Sequence, residues 1–199
     1  MGNPFFDALI ERRSVYAIGD KEVAPIDKVM EVIEISVKHT PTAFNSQSGR
    51  IALLKGASHA KAWDMTEAAL RRLVPAEQFE ATEKKIRSFK AGYATVLFYE
   101  DTDIVKGLQE KFPLYKDNFP IWAHQANGMM QLAVWTGLQQ LGYGASLQHY
   151  GEVVEAEWRA EFGIPPAWKL VGQMPFGNIV AMPEAKSFAP LDGRIKTLG

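Results

Sequence analysis

Apolar residues recur along this chain at alternating helical and strand spacings, and their order predicts a sheet surrounded by helices. Phe5, Phe6, Leu9 and Ile10 form a helical stripe after Pro4, a residue suited to an early helix position. Ile26, Val29, Met30, Ile33 and Val37 repeat at the same spacing, and Pro41 closes that helix. Residues 50–55 predict a buried strand before Gly56. Two amphipathic helices follow at 58–73 and 76–90, separated by Pro75. Ala94 to Tyr99 is a continuous apolar run between Gly92 and the acidic pair Glu100-Asp101, and it predicts the clearest strand. The acidic pair is expected to be solvated and to terminate it. A short helix is predicted at 102–111.

Residues 118–141 differ from the other helical segments. Ile121, Trp122, Ala126, Met129, Leu132, Val134, Leu138 and their neighbours cover most of the helix circumference. A helix apolar nearly all round is buried on most sides, so a central core helix, a subunit interface, or both is expected. Gly142 ends it. Residues 143–150 predict a turn and strand, 152–162 a helix stopped by Gly163, and 168–176 the last strand. An extended tail, from about residue 178, completes the chain. Three or four strands among about seven helices predict an α+β fold with a mostly antiparallel sheet flanked by helices. The pattern shows no repeat or linker, so residues 1–199 are expected to form a single domain.

Composition narrows the function. The chain has 199 residues, 47% hydrophobic and 23% charged, which is ordinary globular composition. Lys+Arg number 22 and Asp+Glu 23, for a net charge of -1, so no global basic field draws nucleic acid. Cysteine is absent, which excludes disulfides, thiolate catalysis and Cys-ligated metals. His39, His59, His124 and His149 are scattered without metal-binding spacing, and no metal is expected. No leader pattern and no membrane-length apolar run are visible, so a cytoplasmic protein without a membrane partner is expected.

Four segments carry candidate chemistry. Arg12-Arg13-Ser14 offers two fixed cations and a hydroxyl, which suits a phosphate; it equally suits a helix C-terminus, where the dipole favours cations. Asn45 and Gln47, in the loop after Pro41, could read the pyrimidine edge of a flat heteroaromatic ring or simply cap a turn. Gly144, Ala145, Ser146 and Leu147 allow close backbone approach to a flat ligand, or mark a helix end running into a strand. Gly142-Tyr143-Gly144 is no dinucleotide fingerprint, because it follows a helix and Leu147 occupies the third glycine position. Arg194, in the tail, is either a solvated cation or a further phosphate contact. Phe79, Phe89, Phe112, Tyr115, Phe119 and Trp122 are expected to be mostly core residues, with some available to line an apolar pocket.

The order of these segments resembles the nitroreductase family of FMN enzymes over nearly the whole chain. Lys38-His39-Thr40-Pro41, Phe44-Asn45-Ser46-Gln47-Ser48, Asn118-Phe119-Pro120-Ile121-Trp122, Ala145-Ser146-Leu147-Gln148-His149-Tyr150 and Gln173-Met174-Pro175-Phe176-Gly177 are similar to the short branch typified by the fungal fatty-acid-repression nitroreductases and their bacterial relatives. The resemblance implies a nitroreductase-like fold with the long central helix at a homodimer interface, where FMN binds using both chains. It implies that Arg12, Arg13 and Ser14 hold the ribityl phosphate with Arg194 assisting. Asn45 and Gln47 would reach the flavin from the partner subunit, and Gly144 to Leu147 would face its ring. NADPH or NADH would be the donor, and a small aromatic, nitroaromatic or quinone the acceptor, with no side chain required as a catalyst. A flavin- or lipid-responsive regulatory protein with little turnover is the alternative that the same branch implies. Tyr16 stands where larger members carry a further Arg, and Ser48 where many carry Pro. The acidic residue near the flavin of some longer relatives has no counterpart in residues 146–150.

Overall fold

The computed structural model describes residues 2–199. Helix α1 (Pro4–Glu11) begins at Asn3, whose side chain accepts the Phe5 N–H at 3.0 Å, and has Pro4 in its first turn. Strand β1 (Ala17–Gly19) leads to helix α2 (Ile26–His39). A 3-10 turn (Ala43–Asn45) then precedes strand β2 (Gly49–Lys55), helix α3 (Ala57–Arg71) and helix α4 (Phe79–Lys90). Strand β3 (Ala94–Asp101), helix α5 (Thr102–Lys111) and the long helix α6 (Phe119–Gln140) follow. Strand β4 (Tyr143–Ala145), helix α7 (Gly151–Phe162) and strand β5 (Trp168–Ala181) complete the order.

Among the described residues the architecture is α+β, with seven α-helices around a five-stranded sheet. Its path is β1-β5-β3-β2, with β4 also paired to β5, and all these pairings are antiparallel. β5 runs past the expected end at Phe176 because Ala181, Ile179 and Asn178 pair with β1, and Asn178 to Phe176 with β4. The short strand β1 has no counterpart among the predicted elements.

Alternation along β3 builds two cores. Val96 and Phe98 face Val29 and Ile33 of α2 and Met130, Val134 and Leu138 of α6. Leu97 and Tyr99 face the opposite layer, where Ala62 and Ala69 of α3 meet Val154 and Trp158 of α7. Helix α6 is only half covered within one chain. Phe119, Ala123, Ala126, Met130, Val134 and Leu138 are buried, whereas Ile121, Met129 and Leu132 are exposed. Its outer face joins Phe5, Leu9, Val32 and Ile35 to line an apolar groove of about 550 Å³. Among the described residues no helix is long and apolar enough to cross a membrane.

The acidic pair departs from expectation. Asp101 caps α5 by accepting the Asp103 N–H at 3.2 Å, but Glu100 is buried, 4% exposed. β3 runs through both residues, and Glu100 pairs with Gly49 on one side and Lys169 on the other. A charged residue at the end of an apolar run is therefore not solvated here, because helix α6 covers it with an amide partner.

One histidine belongs to the core. His59 Nε2 lies 3.0 Å from Lys90 O, which can only accept, so this nitrogen carries the proton. Nδ1 then accepts from Thr95 Oγ1 at 2.8 Å, while Thr95 Oγ1 accepts the Trp63 indole N–H at 3.0 Å. Burial lowers the pKa of His59 below its ordinary value of 6.5. The unfolded chain therefore binds this proton more readily than the folded one. The stability from neutral His59 is complete above that value and is lost as pH falls through the lowered folded one. Thermal unfolding followed from about pH 8 down to about pH 5 should show a falling midpoint, with His59→Asn flattening the response.

Candidate functional site

The end of α1 and the start of β4 meet at the rim of the sheet. Arg12 caps α1, its N–H donating to Ala8 O at 3.1 Å, and the extended chain beyond turns Ser14 alongside β4. Ser14 and Ala145 form a parallel bridge. Ala145 O accepts the Val15 N–H at 2.9 Å and the Trp135 indole N–H at 3.2 Å. Thus Arg12, Arg13 and Ser14 stand directly beside Gly144, Ala145, Ser146 and Leu147.

The two arginines differ. The Arg12 guanidinium lies over the Trp135 ring, 4.4 Å from its centroid, and its Nε is buried without a partner. Burial and then the charge of Arg13 press its pKa below the ordinary arginine value, so an anion there is favoured. Arg13 Nη2 donates to Glu184 O at 2.6 Å and so ties the tail to the site. Arg194 is not brought to this cluster by its own bonds. It sits in an exposed turn near Gly193, its N–H donating to Leu191 O at 2.9 Å and its Nη1 to Ala189 O at 3.4 Å.

In the 144–147 segment the small residues serve packing first. A Cβ at Gly144 would lie 2.8 Å from Val15 Cγ1 and 2.9 Å from Ile179 Cγ1. Ser146 is buried, its hydroxyl accepting Gln148 Nε2–H at 3.0 Å. The Ser146 and Gln148 N–H groups donate to Pro175 O and Gln173 O on β5 at 3.3 and 2.7 Å. Alternation along this extended stretch directs the Leu147 N–H to the opposite side.

Asn45 and Gln47 lie on a separate loop. Phe44, Asn45 and Gln47 all have left-handed backbone, with φ of 55°, 51° and 48°. Asn adopts this conformation readily; Phe and Gln must be held in it. Phe44 is held by aromatic rings, with centroids of Phe112 at 4.8 Å, Phe119 at 5.3 Å and Trp122 at 6.2 Å. Gln47 is held at both backbone groups. Its N–H donates to Thr42 Oγ1 at 3.1 Å, and its carbonyl accepts Arg50 Nη1–H at 2.7 Å. The Asn45 and Gln47 side chains remain exposed. An open cavity of about 320 Å³ beside the loop is walled by Phe44, Trp122, Ala126 and Met129.

Sequence reasoning missed Trp135 beneath Arg12, the Glu184 carbonyl, and Asn127 and Gln131, which face inward from α6. The last pair had a signal: two amides one helical turn apart in a largely apolar helix.

The model of the nitroreductase family matches residues 9–178. The chain belongs to the nitroreductase family. Nitroreductase FRM2 of Saccharomyces cerevisiae is 32% identical over 186 residues, covering 92% of each chain. Nitroreductase CinD of Lactococcus lactis, solved with chloramphenicol, is 39% identical with a TM-score of 0.90, over 98% of this chain and 100% of that one. CinD solved with 4-nitrophenol is 40% identical, with a TM-score of 0.89 over the same shares. The nitroreductase fold and an oxidoreductase activity follow from this membership. A protein from Desulfovibrio desulfuricans, solved in complex with FMN, shares the fold at a TM-score of 0.71 and 17% identity. Gly144→Ala should cost about 1–3 kcal/mol through overpacking, read by denaturant unfolding.

Proposed function

We propose that the chain is an FMN-dependent NAD(P)H oxidoreductase that reduces nitroaromatics, quinones or both by ping-pong hydride transfer, as a cytoplasmic homodimer. The observation that carries the reading is the junction of Arg12-Arg13-Ser14 with the 144–147 segment on the β5 side of the sheet. A doubly charged phosphate fits this donor set. Arg12 has a buried, unpartnered Nε, Arg13 keeps donors beyond the one used on Glu184, and Ser14 adds a hydroxyl. Arg194, held in an exposed turn of the tail, would have to reorient to add a further cation. When bound, FMN supplies the redox chemistry, taking hydride from the nicotinamide nucleotide and passing electrons to the acceptor.

The chain's own part is to bind, orient and exclude water. Arg12 and Arg13 neutralise the phosphate. Ala145 and Ser146 are locked into the sheet, so the Leu147 N–H and the adjoining backbone form a rigid wall for the ring. Asn45 and Gln47, exposed on their loop, offer amides to the flavin of a second copy. The groove between α1, α2 and α6 supports that second copy, since it leaves the apolar face of α6 uncovered. The CinD complexes with chloramphenicol and 4-nitrophenol make nitroaromatics the first acceptor class to test. Phe44 and Trp122 offer a flat aromatic wall for such a ring.

Purified protein incubated with FMN should show a bound-flavin visible spectrum that bleaches anaerobically with NADPH or NADH and recovers with a nitroaromatic or quinone. A protein that stays colourless refutes the reading. A bound flavin that neither nucleotide reduces points instead to a regulatory role. Arg12→Ala combined with Arg13→Ala should weaken FMN binding by about a hundredfold or more, as two charge-assisted contacts are lost. Unchanged affinity in that double variant would show the phosphate assignment to be wrong.

A further inference from the structure

Glu100 is a buried acid that the flavin reading does not use. Its Oε1 accepts Asn127 Nδ2–H at 2.8 Å, and the same nitrogen donates to Tyr99 O at 3.0 Å. Gln131 Nε2 donates to Asn127 Oδ1 at 2.7 Å, which fixes the amide's orientation. Glu100 Oε2 is buried without a partner, and so is the hydroxyl of Ser48, itself 1% exposed. These residues adjoin across the β2–β3 ladder. Gly49 pairs with Glu100, and Ser48 O accepts the Asp101 N–H at 2.9 Å. Thr42, Gln47, Glu100 and Asn127 share the wall of a cavity of about 170 Å³.

The charges around Glu100 do not pair with it. Arg50 on β2 is committed to Asp101 Oδ2 at 3.1 Å and to the carbonyls of Gln47 and Gly49. Lys38, at the end of α2, lines the same cavity, and His124 faces Glu100 from α6. Burial raises the pKa of Glu100 above the ordinary carboxylate value, although the Asn127 hydrogen bond and the nearby His124 and Arg50 draw it back.

We propose that Glu100 is a positioning residue that ties the exit of the 42–47 loop to helix α6. Through Asn127 it grips the helix, and across the ladder it abuts Ser48, the residue after Gln47. The loop's entrance is held by Thr42 and its middle by Phe44, so Glu100 supplies the third hold. As a neutral acid it carries a proton on the face that holds the two orphaned oxygens. When ionised it places a buried charge there with no ion-pair partner, and the loop loosens. The consequence for FMN rests on the flavin reading above; the effect on the loop does not.

Amide hydrogen exchange over residues 42–48, without added FMN and across a pH series, tests this directly. The Asn45, Ser46 and Gln47 N–H groups are all bonded and report the loop. Glu100→Ala should lower their protection about tenfold at the acid end of the series, while Glu100→Gln stays within about threefold. After correction for intrinsic exchange, wild-type protection should fall as pH rises, and Glu100→Gln should abolish that fall. The FMN dissociation constant, from flavin fluorescence, should weaken in parallel. Wild-type protection in Glu100→Ala, or an unchanged pH response in Glu100→Gln, would overturn the proposal. If Glu100→Ala loses protection along the whole chain, the pH response of Glu100→Gln decides. Intact loop effects in a protein that binds no FMN would sink the flavin reading and leave the positioning role standing.

Discussion

The pairing of strand β5 with three other strands is the constraint from which the rest follows. β3 lies along its first part, β4 along its middle and β1 along its end. Backbone groups buried in this way must be paired, so each added strand is fixed in register as well as in place. The β4 register brings Ala145 opposite Phe176 and points its carbonyl at Val15 and Trp135. That single oxygen joins the chain after α1 to the end of α6. The two cations therefore owe their position to a ladder whose other strands lie far away in sequence.

The loop bearing Asn45 and Gln47 is built on a different logic. Regular pairing does not support it, and three of its residues have left-handed backbone, which Phe44 and Gln47 disfavour. Such strain persists only where surroundings over-determine it, at an order of about 1–3 kcal/mol per residue. Aromatic packing on Phe44, the Thr42 hydroxyl and the Arg50 guanidinium provide that determination. One half of the candidate site is rigid because it belongs to the sheet. The other half is rigid because Phe112, just after α5, and side chains from α6 and β2 converge on it.

Helix positions were legible because most of the long helices show an apolar stripe, and α6 an apolar run that covers most of its circumference. Helix α5 spans 102–111 as its pattern predicts, and α6 differs from expectation by one residue at each end. Strand β1 was not legible, because three residues ending in Gly19 carry no alternation and owe their existence to β5. The chemistry of Arg12-Arg13-Ser14 could be read locally, but its neighbours could not. Trp135 beneath Arg12 lies more than a hundred residues away, and only tertiary packing unites them. Glu100 reads locally as a solvated strand end. Its burial is imposed by Asn127 on α6, an amide whose significance emerges only once the helix lies across β3.

The bond from Arg13 to the Glu184 carbonyl has a further implication for preorganisation. A free arginine side chain samples many rotamers, and an incoming anion must halt that motion at an entropic cost. Here the bond to the tail already restrains it, and the guanidinium keeps further donors for an anion. The C-terminal segment thus acts as a splint for a cation some 170 residues upstream. Shortening the chain ahead of Glu184 would leave every cation of the 12–14 segment in place and still make it a poorer receptor.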